Sequence, residues 1–209
     1  MNTFTFKDTI FDAEQMREYI ADTAAKLSLE NTARALGYAA EAHKGQTRKN
    51  SDIPYIYHPM NLACHALAMG IEEDEIIAAC LLHDVVEDCA RTLEELPVNA
   101  GTKEIVRLMT REESTDETRA AVMKAYYGAI ARDPRAALVK CLDRCNNLTT
   151  MSWGLSREKV IRTIKETEEH YPALLETVRR EPAYSRAAWL LKYQIESMLD
   201  IYKRLLKEA

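Results

Sequence analysis

Apolar residues recur every three to four positions along almost the whole chain, and this periodicity limits the possible folds more than any other feature of the sequence. In residues 12–28, for example, four apolar residues share one face of a helix: Met16, Tyr19, Ile20 and Ala24. Only 6 Gly and 6 Pro interrupt the pattern in 209 residues, and the alternation typical of strands is nearly missing. The sequence therefore predicts an all-α protein.

The breaks in this pattern separate the helices. A second helix is predicted over 29–44, and "GQTRKNSDIPYIY" (45–57) is predicted to be a loop because it is rich in turn residues. Pro59 suits the first turn of the next helix, which we expect to end near Gly70. Acidic residues from Glu72 favour the start of a helix over 72–86. The remaining helices are expected at 103–110, 115–131, 134–151, 156–180 and 182–208. No repeat, linker or change in composition divides them, so we expect one domain over 1–209, with helix 182–208 packed on it.

Composition and charge bound the function. Apolar residues make up 47% of the chain, enough for a buried core, and the net charge is −5. This charge argues against broad nucleic-acid binding but allows a basic pocket for a small anionic substrate. No apolar run is long enough to span a bilayer, and "MNTFTFKDTIF" lacks the features of a secretory signal. We therefore expect a cytoplasmic protein that has no membrane partner.

The cysteines are odd in number and lie mostly in apolar helical patterns, so we expect them to be reduced. They are Cys64, Cys80, Cys89, Cys141 and Cys145. Cys141 and Cys145 lie one helical turn apart, but a second pair of closely spaced zinc ligands is not evident.

One stretch carries an unusual density of ionisable groups. "LLHDVVEDC" (81–89) follows an apolar run, and on a continuous helix His83 and Asp84 could lean toward one point. Two further candidates are His58, at the end of the loop, and Asp143, which apolar residues flank in "LVKCLDRCNNL". A buried carboxylate needs a partner, and a metal ion is one. A His-Asp dipeptide alone is common by chance. The order of His58, His83-Asp84 and Asp143 indicates a metal site.

That order resembles the HD superfamily of metal-dependent phosphohydrolases, in which a His, a His-Asp pair and a distant Asp bind the metal. More narrowly, "AHKGQTRKNSDIPYIYHPMNLACHALAMGIEEDEIIAACLLHDVVED", "LVKCLDRCNNLTTM" and "IRTIKETEEHYPAL" resemble the hydrolase domain of the bifunctional alarmone synthetase/hydrolases and the stand-alone small alarmone hydrolases. The similarity covers about 30–180 and implies an HD-domain helical bundle. The length leaves no room for a synthetase domain, so we expect the stand-alone type.

The resemblance implies a reaction and a ligand set. The reaction is removal of the 3′-pyrophosphate from guanosine tetra- or pentaphosphate, usually with Mn²⁺. The implied metal ligands are His58, His83, Asp84 and Asp143. Such a mixed nitrogen and oxygen site also suits Fe²⁺ or Zn²⁺. Glu87 and Asp88 are the predicted catalytic residues, because they follow the His-Asp pair by one turn and could orient a water and move its proton.

Substrate contacts are also implied. Arg48 and Lys49 match the pair that contacts the nucleotide in the family, and Asn147 matches the residue that contacts the ribose. Tyr55 and Thr150 are weaker candidates for lining the same pocket. Elsewhere, we expect Arg144 to make a structural ion pair and His43 to be structural or to support the site.

The sequence departs from the family at two places. "RKNSDIPY" lacks the usual Gly and is one residue longer, and Asn146 stands where a His is common. Both departures leave the predicted metal ligands intact and bear on the identity of the substrate.

Two other functions stay open at this point. One is an HD phosphohydrolase that acts on a different nucleotide or on a 3′-phosphorylated cofactor. The other is a non-catalytic helical module that binds a ligand or partner, which should have lost a metal ligand or an acidic residue. The four predicted metal ligands and the two predicted catalytic acids are all present in this sequence. The expected partner is therefore a small-molecule nucleotide, and the oligomeric state stays open.

Overall fold

The computed structural model of the protein describes residues 12–49, 51–153 and 155–208. Within these ranges the secondary structure is helical, and the only extended pairing is a single antiparallel bridge between Thr47 and Pro54. The predicted all-α class is confirmed. The N-terminal stretch that we compared with a signal sequence, 1–11, and Asn50 of the "RKNSDIPY" loop lie outside the described residues.

The α-helices, numbered in chain order, are α1 (Ala13–Leu27), α2 (Glu30–Ala42), α3 (Tyr57–Ala68), α4 (Asp74–Leu82), α5 (Val85–Asp88), α6 (Ala100–Met109), α7 (Arg119–Ile130), α8 (Pro134–Thr150), α9 (Arg157–Arg180) and α10 (Ser185–Glu208). A short 3₁₀ turn at Met151–Trp153 follows α8, and another at Pro182–Tyr184 precedes α10.

Most helices lie within a few residues of their predicted bounds, and one prediction was wrong in a way that matters. The helix expected over 72–86 ends at Leu82, and a separate one-turn helix, α5, begins at Val85. Asp84 between them has φ −99° and ψ −6°, which departs from regular α geometry and interrupts the helical hydrogen bonds. A smaller error concerns Tyr19, which was grouped with the core face of α1 but is 44% exposed.

The first of two compact units comprises the described residues of Met1–Arg48 and Asp52–Val106. Its centre is α4, whose residues from Ile76 to Leu82 are all 0% exposed. A helix that is apolar on every side suits such a position. Helices α2 and α3 pack against α4, and α1 packs against α2 and α3.

Helix α2 is joined to α4 by a polar clamp. The carboxylate of Asp74 accepts hydrogen bonds from the backbone and side chain of Asn31 and from those of Thr32. These backbone amides belong to the first turn of α2, where the N-cap residue Leu29 supplies no side-chain cap. Asp74 therefore caps α2 from another helix and fixes α4 against it.

The second unit comprises Lys49–Ser51 and Arg107–Ala209. Helices α8, α9 and α10 pack against one another, and α7 packs against α8 and α9. Arg144 of α8 forms the predicted ion pair with Glu166 of α9, which also accepts a hydrogen bond from the hydroxyl of Tyr127. The prediction that 1–209 forms one domain stays a prediction.

Expectations from the sequence also concern the thiols and the hydropathy of the helices. All five cysteines are free thiols, and Cys80, Cys141 and Cys145 are buried. Burial raises the pKa of the Cys145 thiol to about 11, so it is protonated near neutral pH. Among the described residues, no helix combines the length and the apolar character needed to cross a bilayer.

Candidate metal centre

Three of the four predicted metal ligands meet inside the first unit. His58 lies in the first turn of α3, where Pro59 follows it without loss of a helical hydrogen bond. His83 is the C-cap of α4, and Asp84 precedes α5. Because α3 packs against α4, the two imidazole rings face each other edge-on, with centroids 5.1 Å apart.

One carboxylate oxygen is the centre of this cluster. Oδ2 of Asp84 lies 3.0 Å from Nε2 of His83 and 3.5 Å from Nε2 of His58. Each of the three residues offers one ligand atom, and these atoms all lie within 4.8 Å of one another. His58 and His83 are 2% and 1% exposed, whereas the side chain of Asp84 is 21% exposed. The cluster is thus buried on its histidine side and reachable on its carboxylate side.

The hydrogen bonding of His83 shows which nitrogen can bind a cation. Nδ1 of His83 lies 2.9 Å from the carbonyl oxygen of Cys80, which can only accept, so Nδ1 carries the proton. In the neutral ring, Nε2 then presents its lone pair toward Oδ2 of Asp84. A metal cation between Nε2 and Oδ2, or a proton on Nε2, would account for this approach. Two imidazole nitrogens and one carboxylate oxygen suit Mn²⁺, Fe²⁺ or Zn²⁺, so the donor set fits the divalent metal of the resemblance.

The predicted catalytic acids lie on α5, the one-turn helix that follows Asp84. Glu87 and Asp88 are both exposed to solvent, unlike the histidines. The break in the helix at Asp84 does not remove Asp88 from the cluster, because its backbone N–H still donates to the carbonyl oxygen of Asp84 at 2.8 Å. Both carboxylates are therefore open to solvent water.

Tyr55 lies closer to the cluster than we expected of a residue that lines a substrate pocket. Its hydroxyl donates to Oδ2 of Asp84 at 2.6 Å and lies 3.2 Å from Oδ2 of Asp88. The ring stacks on His43, with centroids 4.8 Å apart, and lies edge-on to His58 at 5.8 Å. Burial, followed by the charge of Asp84, raises the pKa of Tyr55 well above its usual value, so the hydroxyl is a donor.

The loop before α3 folds back on itself, which brings Tyr55 to the cluster. The backbone N–H of Tyr55 donates to the carbonyl oxygen of Gln46 at 2.9 Å, and that of Arg48 donates to Ile53 at 2.7 Å. The guanidinium of Arg48 lies over the ring of Tyr55, 5.5 Å from its centroid. A predicted nucleotide contact and the predicted metal centre are therefore joined through one aromatic ring.

Gln46 was not identified from the sequence, although it ties this loop to α5. Its Oε1 lies 2.8 Å from Nδ1 of His43, and its amide donates to the carbonyl oxygen of Asp88 at 3.1 Å. Burial lowers the pKa of His43, so it is neutral near pH 7. These contacts agree with the supporting role expected of His43. Its contact with α5 could not be identified from the sequence, because Asp88 lies 42 positions away.

The other predicted site residues lie in the second unit. Asp143 and Asn147 share a face of α8, and Nδ2 of Asn147 donates to Oδ1 of Asp143 at 2.5 Å. The ammonium of Lys140 lies 3.0 Å from Oδ2 of Asp143. Thr150 donates to the carbonyl oxygen of Asn146 at 3.2 Å. The predicted roles of these residues, and of Lys49, stay predictions.

Helices that bring two histidines and a neighbouring aspartate around one point define an all-α protein with a candidate metal site. The HD domain family model matches residues 35–175, a stretch that contains all four predicted ligands. The chain belongs to the HD domain family.

Its relatives are larger proteins. The guanosine-3′,5′-bis(diphosphate) 3′-pyrophosphohydrolase of Aquifex aeolicus is 33% identical over 80% of this chain and 23% of that protein. The GTP pyrophosphokinase of Streptomyces coelicolor is 33% identical over 70% of this chain and 18% of that protein. The bifunctional (p)ppGpp synthase/hydrolase SpoT of Escherichia coli is 29% identical over 77% of this chain and 24% of that protein. The chain thus spans about a quarter or less of the length of these relatives.

A solved structure of similar size has the same fold. It is described as "A metazoan ortholog of SpoT hydrolyzes ppGpp and plays a role in starvation responses". It superposes with a TM-score of 0.64 at 22% identity, covering 82% of this chain and 94% of that one.

Proposed function

We propose that the protein is a metal-dependent phosphohydrolase that removes the 3′-pyrophosphate from guanosine tetra- or pentaphosphate, leaving GDP or GTP. The convergence of His58, His83 and Asp84 on one point is the observation that carries the proposal. Membership of the HD domain family supports the reaction type, and the similarity to the Aquifex 3′-pyrophosphohydrolase supports the substrate.

The chemistry divides among residues of the first unit. His58, His83 and Asp84 would hold one divalent cation, with Mn²⁺ as the proposed ion. Such an ion supplies a Lewis acid for a phosphoryl oxygen and lowers the pKa of water. Asp88 lies beside Asp84 and is placed to orient the attacking water, while Glu87, on the exposed turn of α5, is placed to exchange a proton with solvent.

Arg48 is the proposed nucleotide contact of the loop. Its guanidinium is held over the ring of Tyr55, which leaves the planar fork able to stack on a base or to form paired hydrogen bonds with phosphate. Lys49, Asn147 and Thr150 keep the substrate roles predicted from the resemblance, and Asp143 keeps the role of fourth ligand.

The reaction is tested by incubation of the purified protein with ppGpp and Mn²⁺, followed by chromatography of the products. We expect GDP and pyrophosphate in equal amounts. Release of orthophosphate, or cleavage of another 3′-phosphorylated nucleotide from a panel while ppGpp stays intact, would transfer the assignment to the alternative substrate class.

Variants can distinguish residues that bind the metal from residues that act only in turnover. His83→Ala should lose bound Mn²⁺, measured by metal analysis after loading and desalting. Glu87→Gln combined with Asp88→Asn should keep the metal and lower kcat by about a hundredfold or more, because proton transfer is removed. Glu72→Gln, an exposed acid on the same unit, is the matched control and should change neither. Unchanged turnover in the double variant would exclude α5 as the water-handling element.

A further inference from the structure

Tyr55 makes contacts that a wall of a substrate pocket does not need. Its hydroxyl is directed at two carboxylates, those of Asp84 and Asp88, rather than at open space. Its ring is held on two sides by His43 and Arg48. A side chain fixed in this way cannot easily turn toward a ligand. Its hydroxyl is therefore committed to the acids.

The hydrogen bond to Asp84 bears on the geometry of the metal centre. The oxygen that accepts the proton of Tyr55 is Oδ2, the same oxygen that approaches the Nε2 atoms of His58 and His83. A carboxylate oxygen has two lone pairs, so one can receive the phenol while the other is directed at the cation site. A hydrogen bond from outside the ligand set holds a ligand in its rotamer and reduces what is lost when the metal binds.

The contact with Asp88 adds a second consequence. A phenol has one proton, so the shorter contact, to Asp84, is the main hydrogen bond, and Asp88 shares the proton in a three-centre arrangement. Two carboxylates that share a donor are held close together in spite of their like charges. Tyr55 thus sets the position of the proposed water-handling acid relative to a proposed ligand.

We propose that Tyr55 is a positioning residue of the metal centre, which holds Asp84 toward the two imidazoles and Asp88 at the rim through one hydroxyl. The effect on metal affinity stands independently, whereas the effect on turnover rests on the proposed function.

The test of the metal part is titration calorimetry of Tyr55→Phe with Mn²⁺. Phenylalanine keeps the ring contacts with His43 and Arg48 and deletes only the hydroxyl. We expect the Kd for Mn²⁺ to rise about tenfold or more, as is usual when a supporting hydrogen bond to a metal ligand is lost. Tyr38→Phe, the same chemical change on α2, is the control and should bind as the wild type does. Equal Kd values for the wild type and Tyr55→Phe would overturn the proposal.

The kinetic part distinguishes positioning from substrate contact. At saturating Mn²⁺, Tyr55→Phe should lower kcat for ppGpp more than it raises KM. In the Asp88→Asn background, the same substitution should lower kcat by a smaller factor, because the two residues act together. A variant that only raises KM would make Tyr55 a substrate contact and overturn the positioning role.

Two further outcomes are separable. If the wild type binds Mn²⁺ but does not cleave ppGpp, the proposed function fails while the calorimetry still decides the role of Tyr55. If Tyr55→Phe does not fold, judged by circular dichroism, 3-fluorotyrosine at position 55 keeps every contact and makes the hydroxyl a stronger donor. A changed Kd for Mn²⁺ would then support the role, and an unchanged Kd would overturn it.

Discussion

Replacement of Asp74 by alanine should destabilise the first unit more than any other single change of an exposed or half-buried charge in it. Asp74 accepts from the backbone N–H groups of Asn31 and Thr32 at 2.9 and 2.8 Å, and from both of their side chains at 2.8 Å. Alanine removes the acceptor and leaves these donors behind. Since His83 is the C-cap of α4, the loss of this clamp should also loosen the helix that positions the candidate metal centre.

The magnitude follows from where the donors lie. Thr32 is 0% exposed and Asn31 is 8% exposed, so water does not readily replace the lost acceptor. An unsatisfied buried donor costs about 1–3 kcal/mol. Because Asp74 itself is half-buried, we take the lower end, about 1 kcal/mol, for each of the four donors and expect a loss of about 4 kcal/mol in the free energy of unfolding. Glu72→Ala removes an exposed charge of the same sign near the start of α4, and it should cost less than about 0.5 kcal/mol.

Urea unfolding gives the free energies, and amide hydrogen exchange locates the effect. In Asp74→Ala, the amides of Asn31 and Thr32 should lose protection first, because they form the first turn of α2. A loss no greater than that of Glu72→Ala, or unchanged exchange at these two amides, would refute the idea that Asp74 caps α2.

The pH dependence has a definite sign. Burial by itself raises the pKa of Asp74, but the hydrogen bonds from Asn31 and Thr32 outweigh it and hold the pKa below its usual value. A carboxylate with a lowered folded pKa stabilises the protein fully above the unfolded pKa of about 3.9 and loses this effect as the pH falls through the folded pKa. The stability difference between the wild type and Asp74→Asn should therefore be constant above about pH 5 and shrink below about pH 4.

Two other predictions concern the second unit and the thiols. Arg144→Leu should lower the free energy of unfolding by about 3–5 kcal/mol, because it leaves Glu166 charged and largely buried. Arg204→Ala breaks an exposed ion pair and should cost less than about 1 kcal/mol. Thermal unfolding compares the two variants, and equal losses of stability would contradict the prediction for Arg144. In the native protein, a thiol reagent should modify the half-exposed Cys89 before the fully buried Cys141, as read by mass spectrometry of peptides, and simultaneous modification would contradict the packing of α8.

The parts of the fold that were predictable from the sequence depend on local patterns. The face of α1 shows this, since Met16, Ile20 and Ala24 are buried as their spacing predicts. The same holds for α4, whose unbroken apolar run predicts a helix surrounded by others. Where the pattern was local but incomplete, the prediction failed: nothing in "LLHDVVEDC" shows that the helix ends at Leu82, because the residues that follow still favour helical geometry.

Of the candidate site, the meeting of three predicted ligands was predictable from the sequence, and their role as ligands stays a prediction. His58, His83 and Asp84 were found because the residue types and their order are typical of a metal site, and the structure brings these three together. The roles of Tyr55 and Gln46 depend on hydrogen bonds to Asp88, which lies 33 positions from Tyr55 and 42 positions from Gln46. No periodicity encodes such a pair. The supporting contacts of a site are therefore the part that needs coordinates.

The loop that departs from the family pattern is closed at its base by backbone pairing. The backbone N–H of Arg48 donates to Ile53, and Thr47 pairs with Pro54, so the additional length of "RKNSDIPY" is contained between two paired positions. The contact of Arg48 with the ring of Tyr55 lies at the base of this loop and is kept. Under the proposed function, a change at 49–52 should therefore alter which nucleotide fits without moving the hydroxyl of Tyr55 that donates to Asp84. Variation at these positions should change KM among nucleotides, whereas kcat should respond to substitution of Tyr55 and of the acids that it contacts.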